Sequence, residues 1–179
     1  MSYQYNSGMF ATVGDGINGK VKSAVVCQLQ PGAKMPERAH PTDAGADLFC
    51  WLHSWAIPSP FHVPATHPGE KSKLVIPPGK QMLVDTGVSM KIPEGYAGFL
   101  HARSSQRSKG ITCWGTGIID SAYRGGIKVV LYNGSEIDYV IENGDKIAQL
   151  VIQKVELTEF IDLWNDTARG TGGFGSTGK

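Results

Sequence analysis

The sequence predicts an all-β domain of sandwich, jelly-roll or barrel type, and three observations carry that prediction. Apolar residues come in short runs, each about the length of one strand, cut by Gly and Pro. Turn signals such as "PPG", "PEG", "NGS" and "NGD" separate those runs at close intervals. No window between the breakers sustains an apolar i, i+3, i+4, i+7 pattern, so long amphipathic helices are excluded.

The elements follow in order. Residues 1–20 are polar and read as a flexible N-terminal extension; a single domain follows over 21–168. "VKSAVVCQL" (21–29) reads as a strand, and the proline- and glycine-containing text after it as loop. "ADLF" (46–49) is a short strand. The stretch 51–73 then reads as a surface insertion, because Pro58, Pro60, Pro64 and Pro68 forbid regular pairing. "LVI" leads into the "PPG" turn at 77–79. Met82, Val84, Val88, Met90 and Ile92 alternate with other residues at the period of a strand with one buried face. "YAGFLHA" (96–102), "IKVVLY" (127–132), "IDYVI" (137–141) and "IAQLVI" (147–152) are further strands, and "SSQRSKG" is the best helical candidate. The Gly-rich segment 169–179 closes the chain.

Composition excludes several classes. Seventeen basic and 16 acidic residues leave a formal net charge of +1, too little for a global field that attracts nucleic acid or an anionic membrane. No apolar run is long enough to span a bilayer. Cys27, Cys50 and Cys113 are scattered and odd in number, which reads as reduced thiols and not as a disulfide framework or zinc site. With no leader-like N-terminus, the expected location is the cytoplasm.

Chemistry has several candidate carriers. In "GIIDSAYRGG" (117–126), Asp120 follows two isoleucines that read as buried and precedes a turn, where a carboxylate can act as general base toward water. The ordinary reading of an isolated Asp is an Asx-turn acid that caps its own backbone. Tyr123 is close enough to line the same pocket or to pack at an edge. "HARSSQRSKG" gathers Arg103, Ser104 and Ser105 with further donors after a strand, an anion-binding corner or a solvated charged turn. Asp47 and Gln149 lie in "TDAGADL" and "NGDKIAQL", and a carboxylate such as Asp47 suits a hard cation together with phosphate oxygens. "RGTGGFGSTG" has P-loop-like glycine spacing, but Ser176 stands where a P-loop needs lysine. Its glycines could still expose N–H groups, with Arg169, Ser176 and Thr177 as phosphate donors.

Taken in order, "AGADL", "ARSS", "GIIDSAYRG", "GDKIAQL" and "RGTGGFGSTG" resemble the five motifs of trimeric dUTP diphosphatases (dUTPases), from Val21 to Gly178 apart from 51–73. The resemblance implies a jelly-roll-like (β-clip) barrel, a homotrimer with active sites at subunit interfaces, and Mg²⁺-dependent hydrolysis of dUTP to dUMP and pyrophosphate. It implies Asp120 as the base that activates water, Asp47 as the acid that holds Mg²⁺ through water, and Gln149 near the α-phosphate. Arg103, Ser104 and Ser105 would bind phosphates, with Arg103 and Ser104 also orienting Asp120. A hairpin over 111–119, with Gly117 and Ile119, would read uracil through its backbone, and Tyr123 would exclude a ribose 2′-OH. Phe174 would stack on the base, while Arg169, Gly175, Ser176 and Thr177 close over the phosphates as a lid. Ala46, Ala122 and the bulky Trp114 depart from the family pattern. Two alternatives accompany this reading: a dCTP deaminase of the same fold, and a nucleotide-binding regulator acting through a protein partner at 51–73.

Overall fold

The computed structural model describes residues 24–52, 61–114 and 117–163. The 1–20 extension and the 169–179 lid, with Arg169, Phe174, Gly175, Ser176 and Thr177, lie outside the described residues. Eleven strands and one helical turn follow in the order β1 (Val26–Leu29), β2 (Gly45–Phe49), β3 (His62–Val63), β4 (Lys73–Ile76), β5 (Gln81–Lys91), β6 (Tyr96–His101), α1 (Ser104–Arg107), β7 (Ile111–Cys113), β8 (Ile118–Ile119), β9 (Gly126–Asn133), β10 (Tyr139–Glu142) and β11 (Lys146–Lys154). The strands form three antiparallel sheets: β1-β5-β9-β7, β10-β4-β3 and β2-β11-β6-β8. Their inner faces meet in one apolar core that includes Leu48, Leu74, Ile76, Val84, Ile111, Leu131 and Ile147, all fully buried. This is an all-β architecture, as the short apolar runs predict, and of the jelly-roll-like type that the resemblance implies.

Asn133, the polar side chain at the centre of this core, is satisfied. Asn133 is fully buried and donates to the carbonyls of Ile76 and Ile137, while its own oxygen accepts from Ser135. It thereby ties β9 to β4 across two sheets, which offsets the cost of burying an amide. The cysteines are free thiols, and burial pushes Cys50 and Cys113 up to about 11. That favours the thiol, the less nucleophilic form, at neutral pH.

Three expectations need correction. Trp51 and Leu52, at the start of the stretch read as a surface insertion, are buried: both are 4% exposed, Trp51 Nε1 donates to the Pro31 carbonyl, and the Leu52 N–H donates to Asn143 Oδ1. Nor do the prolines exclude pairing everywhere, since His62 and Val63 pair with Leu74 and Lys73 just before Pro64. The 111–119 stretch is not a hairpin of mutually paired strands. Its first arm, β7, pairs with β9, and its second arm, β8, pairs with β6 in a different sheet.

Candidate active site

The site grows from the register of β2 against β11. Asp47 lies opposite Gln149, so their side chains leave the sheet on the same, outer face. Gly45, two residues earlier on that face, leaves room for the glutamine: a Cβ there would stand 3.3 Å from Gln149 Cβ. Between Lys146 and Ala148 the ladder slips by one residue, so Lys146 opposes Phe49. Without this bulge Lys146 would face the core; with it, the lysine joins Asp47 and Gln149. The isolated bridge between Glu37 and Asp47 covers the free edge of β2, with both backbone hydrogen bonds made.

Asp47 is therefore a buried carboxylate, 3% exposed, held by three donors. Lys146 Nζ donates to Oδ2 at 2.8 Å, and Arg103 Nε and Gln149 Nε2 donate to Oδ1 at 3.0 and 3.4 Å. Burial alone pushes its carboxyl up, but the Lys146 ammonium and the Arg103 guanidinium outweigh that and hold it below the ordinary value. Arg103 reaches the site because it ends the extended segment before α1; its Nη1 also donates to Ser105 Oγ at 3.4 Å. Ser104 and Ser105 are exposed on the one-turn helix beside it.

The second group of candidates lies elsewhere on the same sheet. Ile119 is buried against the core and pairs with Gly98, but Ile118 is 63% exposed, so only one of the two isoleucines is buried. This is the ordinary alternation of a strand, with Ile118 on the outer face. Asp120 follows at the strand end, exposed, and its carbonyl accepts the Tyr123 N–H to close a turn. Its carboxylate accepts no hydrogen bond among the described residues. Tyr123 is half-exposed, folds over Gly125, and donates to the Gly126 carbonyl. Gly117 is required by packing as well, since a Cβ there would come 2.9 Å from Leu100 Cδ1. Trp114 points outward, 57% exposed and edge-on to Tyr132, on the outer face of the other sheet.

The two groups do not meet within one chain. Gln149 and Asp47 sit level with His101, whereas Asp120 follows the residue paired to Gly98, two ladders away from β11. Strand geometry separates them by on the order of 15 Å. Among the described residues Arg103 therefore orients Asp47, and the expectation that Arg103 and Ser104 orient Asp120 is not met inside a protomer. Lys146 escaped the sequence reading although it lies in "GDKIAQL". Three residues from Gln149, it belongs to the opposite face of a regular strand, and only the bulge brings it round.

Among the described residues no three His, Cys, Asp or Glu side chains are grouped to hold a metal ion. Both oxygens of Asp47 are already hydrogen-bonded, which does not suit direct coordination. The donor set fits a hydrated Mg²⁺ carried on polyphosphate and reached from Asp47 through water.

A β domain that gathers a buried carboxylate, a guanidinium, an ammonium, a glutamine and two exposed serines at one end defines a protein that handles phosphorylated ligands. A family model described as dUTPase matches residues 70–178. The chain is 40% identical over 156 residues to a deoxyuridine 5'-triphosphate nucleotidohydrolase of Thermobifida fusca, covering 84% of this chain and 76% of that protein. It is 37% identical to the protein of the same name from Mycobacterium marinum, over 87% of this chain and 95% of the relative. Among solved structures, the Staphylococcus bacteriophage 80alpha dUTPase with dUPNHPP is similar at a TM-score of 0.65 and 30% identity, covering 87% of this chain and 99% of that one. A mutant dUTPase of phage phi11 of S. aureus, described with a structural Mg(II) ion, is similar at a TM-score of 0.63 and 29% identity, covering 80% and 98%. The chain belongs to the dUTPase family.

Proposed function

We propose that this protein hydrolyses dUTP to dUMP and pyrophosphate, with its active sites assembled between copies of the chain in a homotrimer. The observation that carries the reading is the Asp47–Arg103–Lys146–Gln149 constellation, built from the family's first, second and fourth motifs. The third motif, with Asp120 and Tyr123, lies too far away to serve the same site from the same chain, which is what a shared site requires.

In this mechanism Asp120 takes a proton from water while the water oxygen forms a bond to the α-phosphorus. The bond from that phosphorus to the bridging oxygen breaks, and pyrophosphate departs. Arg103 stabilises the phosphate charge with the guanidinium N–H groups that Asp47 leaves free, and Ser104 and Ser105 add hydroxyl donors. Gln149 orients the α-phosphate. Asp47 would hold Mg²⁺ through water, and the ion would supply charge neutralisation for the leaving group. Uracil is read by the backbone of 117–119, and the Tyr123 ring under the sugar leaves no space for a 2′-OH. Arg169, Ser176 and Thr177 grip the outer phosphates, with Phe174 on the base and Gly175 allowing close approach.

Pyrophosphate release from dUTP, dTTP, dCTP and UTP, with and without Mg²⁺, tests this reading. The expected result is turnover of dUTP alone, dependent on Mg²⁺. Release of ammonia from dCTP, or equal turnover of all four nucleotides, would contradict it.

A further inference from the structure

The stretch read as a surface insertion forms, over its described part, a hairpin with β4. His62 pairs with Leu74 and Val63 with Lys73. The loop between the two strands is closed by its own side chains. Ser72 Oγ accepts the Ala65 N–H at 3.3 Å, and the Glu70 carboxylate accepts the Thr66 and His67 N–H groups at 3.0 and 3.2 Å. Such a loop is a defined unit and not a slack linker.

Both roots of this stretch grip one turn, residues 142–145, which delivers Lys146 to the site. At the first root, the Leu52 N–H donates to Asn143 Oδ1 at 2.8 Å. Beside it, the Cys50 carbonyl accepts the Gly144 N–H at 2.9 Å and the Cys50 N–H donates to the Asp145 carbonyl at 2.8 Å. At the second root, the Ser72 carbonyl accepts the Asn143 N–H at 2.8 Å, and Lys71 and Lys73 pair with the Glu142 carboxylate at 3.7 and 3.2 Å. Asn143 thus links the two roots directly: its side chain holds Leu52 and its backbone holds Ser72. The turn has little slack of its own, since Gly144 lies at φ +88 and a Cβ there would stand 2.9 Å from Lys34 Nζ. The bulge that turns Lys146 toward Asp47 begins where this turn ends, so an error in the turn passes to the Lys146–Asp47 pair.

We propose that Asn143 is a positioning residue, through which the 62–76 hairpin sets Lys146 against Asp47. It acts by fixing the backbone from which Lys146 extends. An amide oxygen suits that task. Leu52 is 4% exposed, so losing the acceptor leaves its N–H unpaired away from water, and the turn shifts to relieve it. This role rests on the hydrolase reading for the reaction it serves, and it gives a stretch outside the family pattern a part in the chemistry.

Two readouts on the full-length protein test it. One is kcat/KM for dUTP with Mg²⁺, measured well below the thermal midpoint. The other is the NMR signal of the Lys146 ammonium protons, taken without nucleotide or metal, which a lasting hydrogen bond protects from exchange. Asn143→Leu is expected to lower kcat/KM about tenfold, the cost of one unpaired buried N–H, and to erase the ammonium signal. Asn143→Asp keeps the acceptor and is expected to hold both readouts within about twofold of wild type. Thr86→Val removes a buried hydroxyl bonded to the Ile127 carbonyl on another sheet; it should lower the thermal midpoint and move neither readout. Unchanged readouts in folded Asn143→Leu, or an equal loss in Thr86→Val, overturn the proposal. If Asn143→Leu fails to fold, Glu142→Gln decides. Removing the charge that Lys71 and Lys73 share should lower kcat/KM about threefold, and no change overturns the proposal. A wild-type protein with a protected ammonium but no dUTP turnover would sink the hydrolase reading and leave the positioning role to the ammonium signal. Turnover and signal that both ignore Asn143→Leu would sink the positioning role alone.

Discussion

Asp47 and Asp120 are both motif aspartates on the β2-β11-β6-β8 sheet or its margin, yet they are built in opposite ways. Asp47 is buried, covered by the Glu37 bridge and saturated by lysine, arginine and glutamine donors. Asp120 is exposed at a strand end, with no donor on its carboxylate among the described residues. The difference teaches what each can do. A carboxylate with both oxygens engaged by cations and an amide is a fixed charge that organises those groups around it, whereas one left open can accept a proton from water.

Substitutions can break this contrast. Asp120→Asn should cut kcat on dUTP by about 10²–10⁴-fold, with dUTP affinity retained and stability unchanged within ~0.5 kcal/mol. Asp47→Asn should show the reverse emphasis, lowering stability at neutral pH by roughly 1–3 kcal/mol because the Arg103 and Lys146 charges lose their counter-ion. Its pH dependence has a definite sign. The folded-state value of Asp47 is depressed, so its contribution is fully present above the unfolded value of about 3.9. It is lost as pH falls through the lower folded value. The gap in thermal midpoint between wild type and Asp47→Asn should therefore be constant from pH 7 to about 5 and close under strong acid. Tyr123→Ala should raise UTP turnover relative to dUTP about tenfold, and an unchanged ratio would remove its role under the sugar. The smallest effect belongs to Trp114→Ala. Loss of its edge-on contact with Tyr132 should cost about 1 kcal/mol with no change in KM for dUTP, because the indole faces away from the core on the other sheet.

The sequence made much of this visible, for reasons that vary by element. Period-2 alternation over Met82–Ile92 marked β5, and the turns at 77–79 and 93–95 marked its ends, because local rules govern both. Strands β3, β7 and β8, of two or three residues, carry too little text for any period to register; the ladders formed by their neighbours impose them. The candidate residues Asp47, Arg103 and Gln149, which the structure brings together, were legible through motif order. Their mutual bonding was not, since it depends on which strands lie side by side. Lys146 and Gln106 illustrate the limit. One is turned toward the site by a bulge that alternation hides, and the other is a glutamine in a charged stretch whose burial only the packing against Tyr139 reveals.

The central claim is that the Asp47 half and the Asp120 half of each site come from different copies of the chain. Mixing two inactive variants, Asp120→Asn and Arg103→Met, after unfolding and refolding them together tests this directly. In a ring of three, every mixed trimer then contains one intact site, and random assembly should restore ~one quarter of wild-type dUTP turnover. A mixture as inactive as its two components would show that both halves must lie in one chain, contrary to this account.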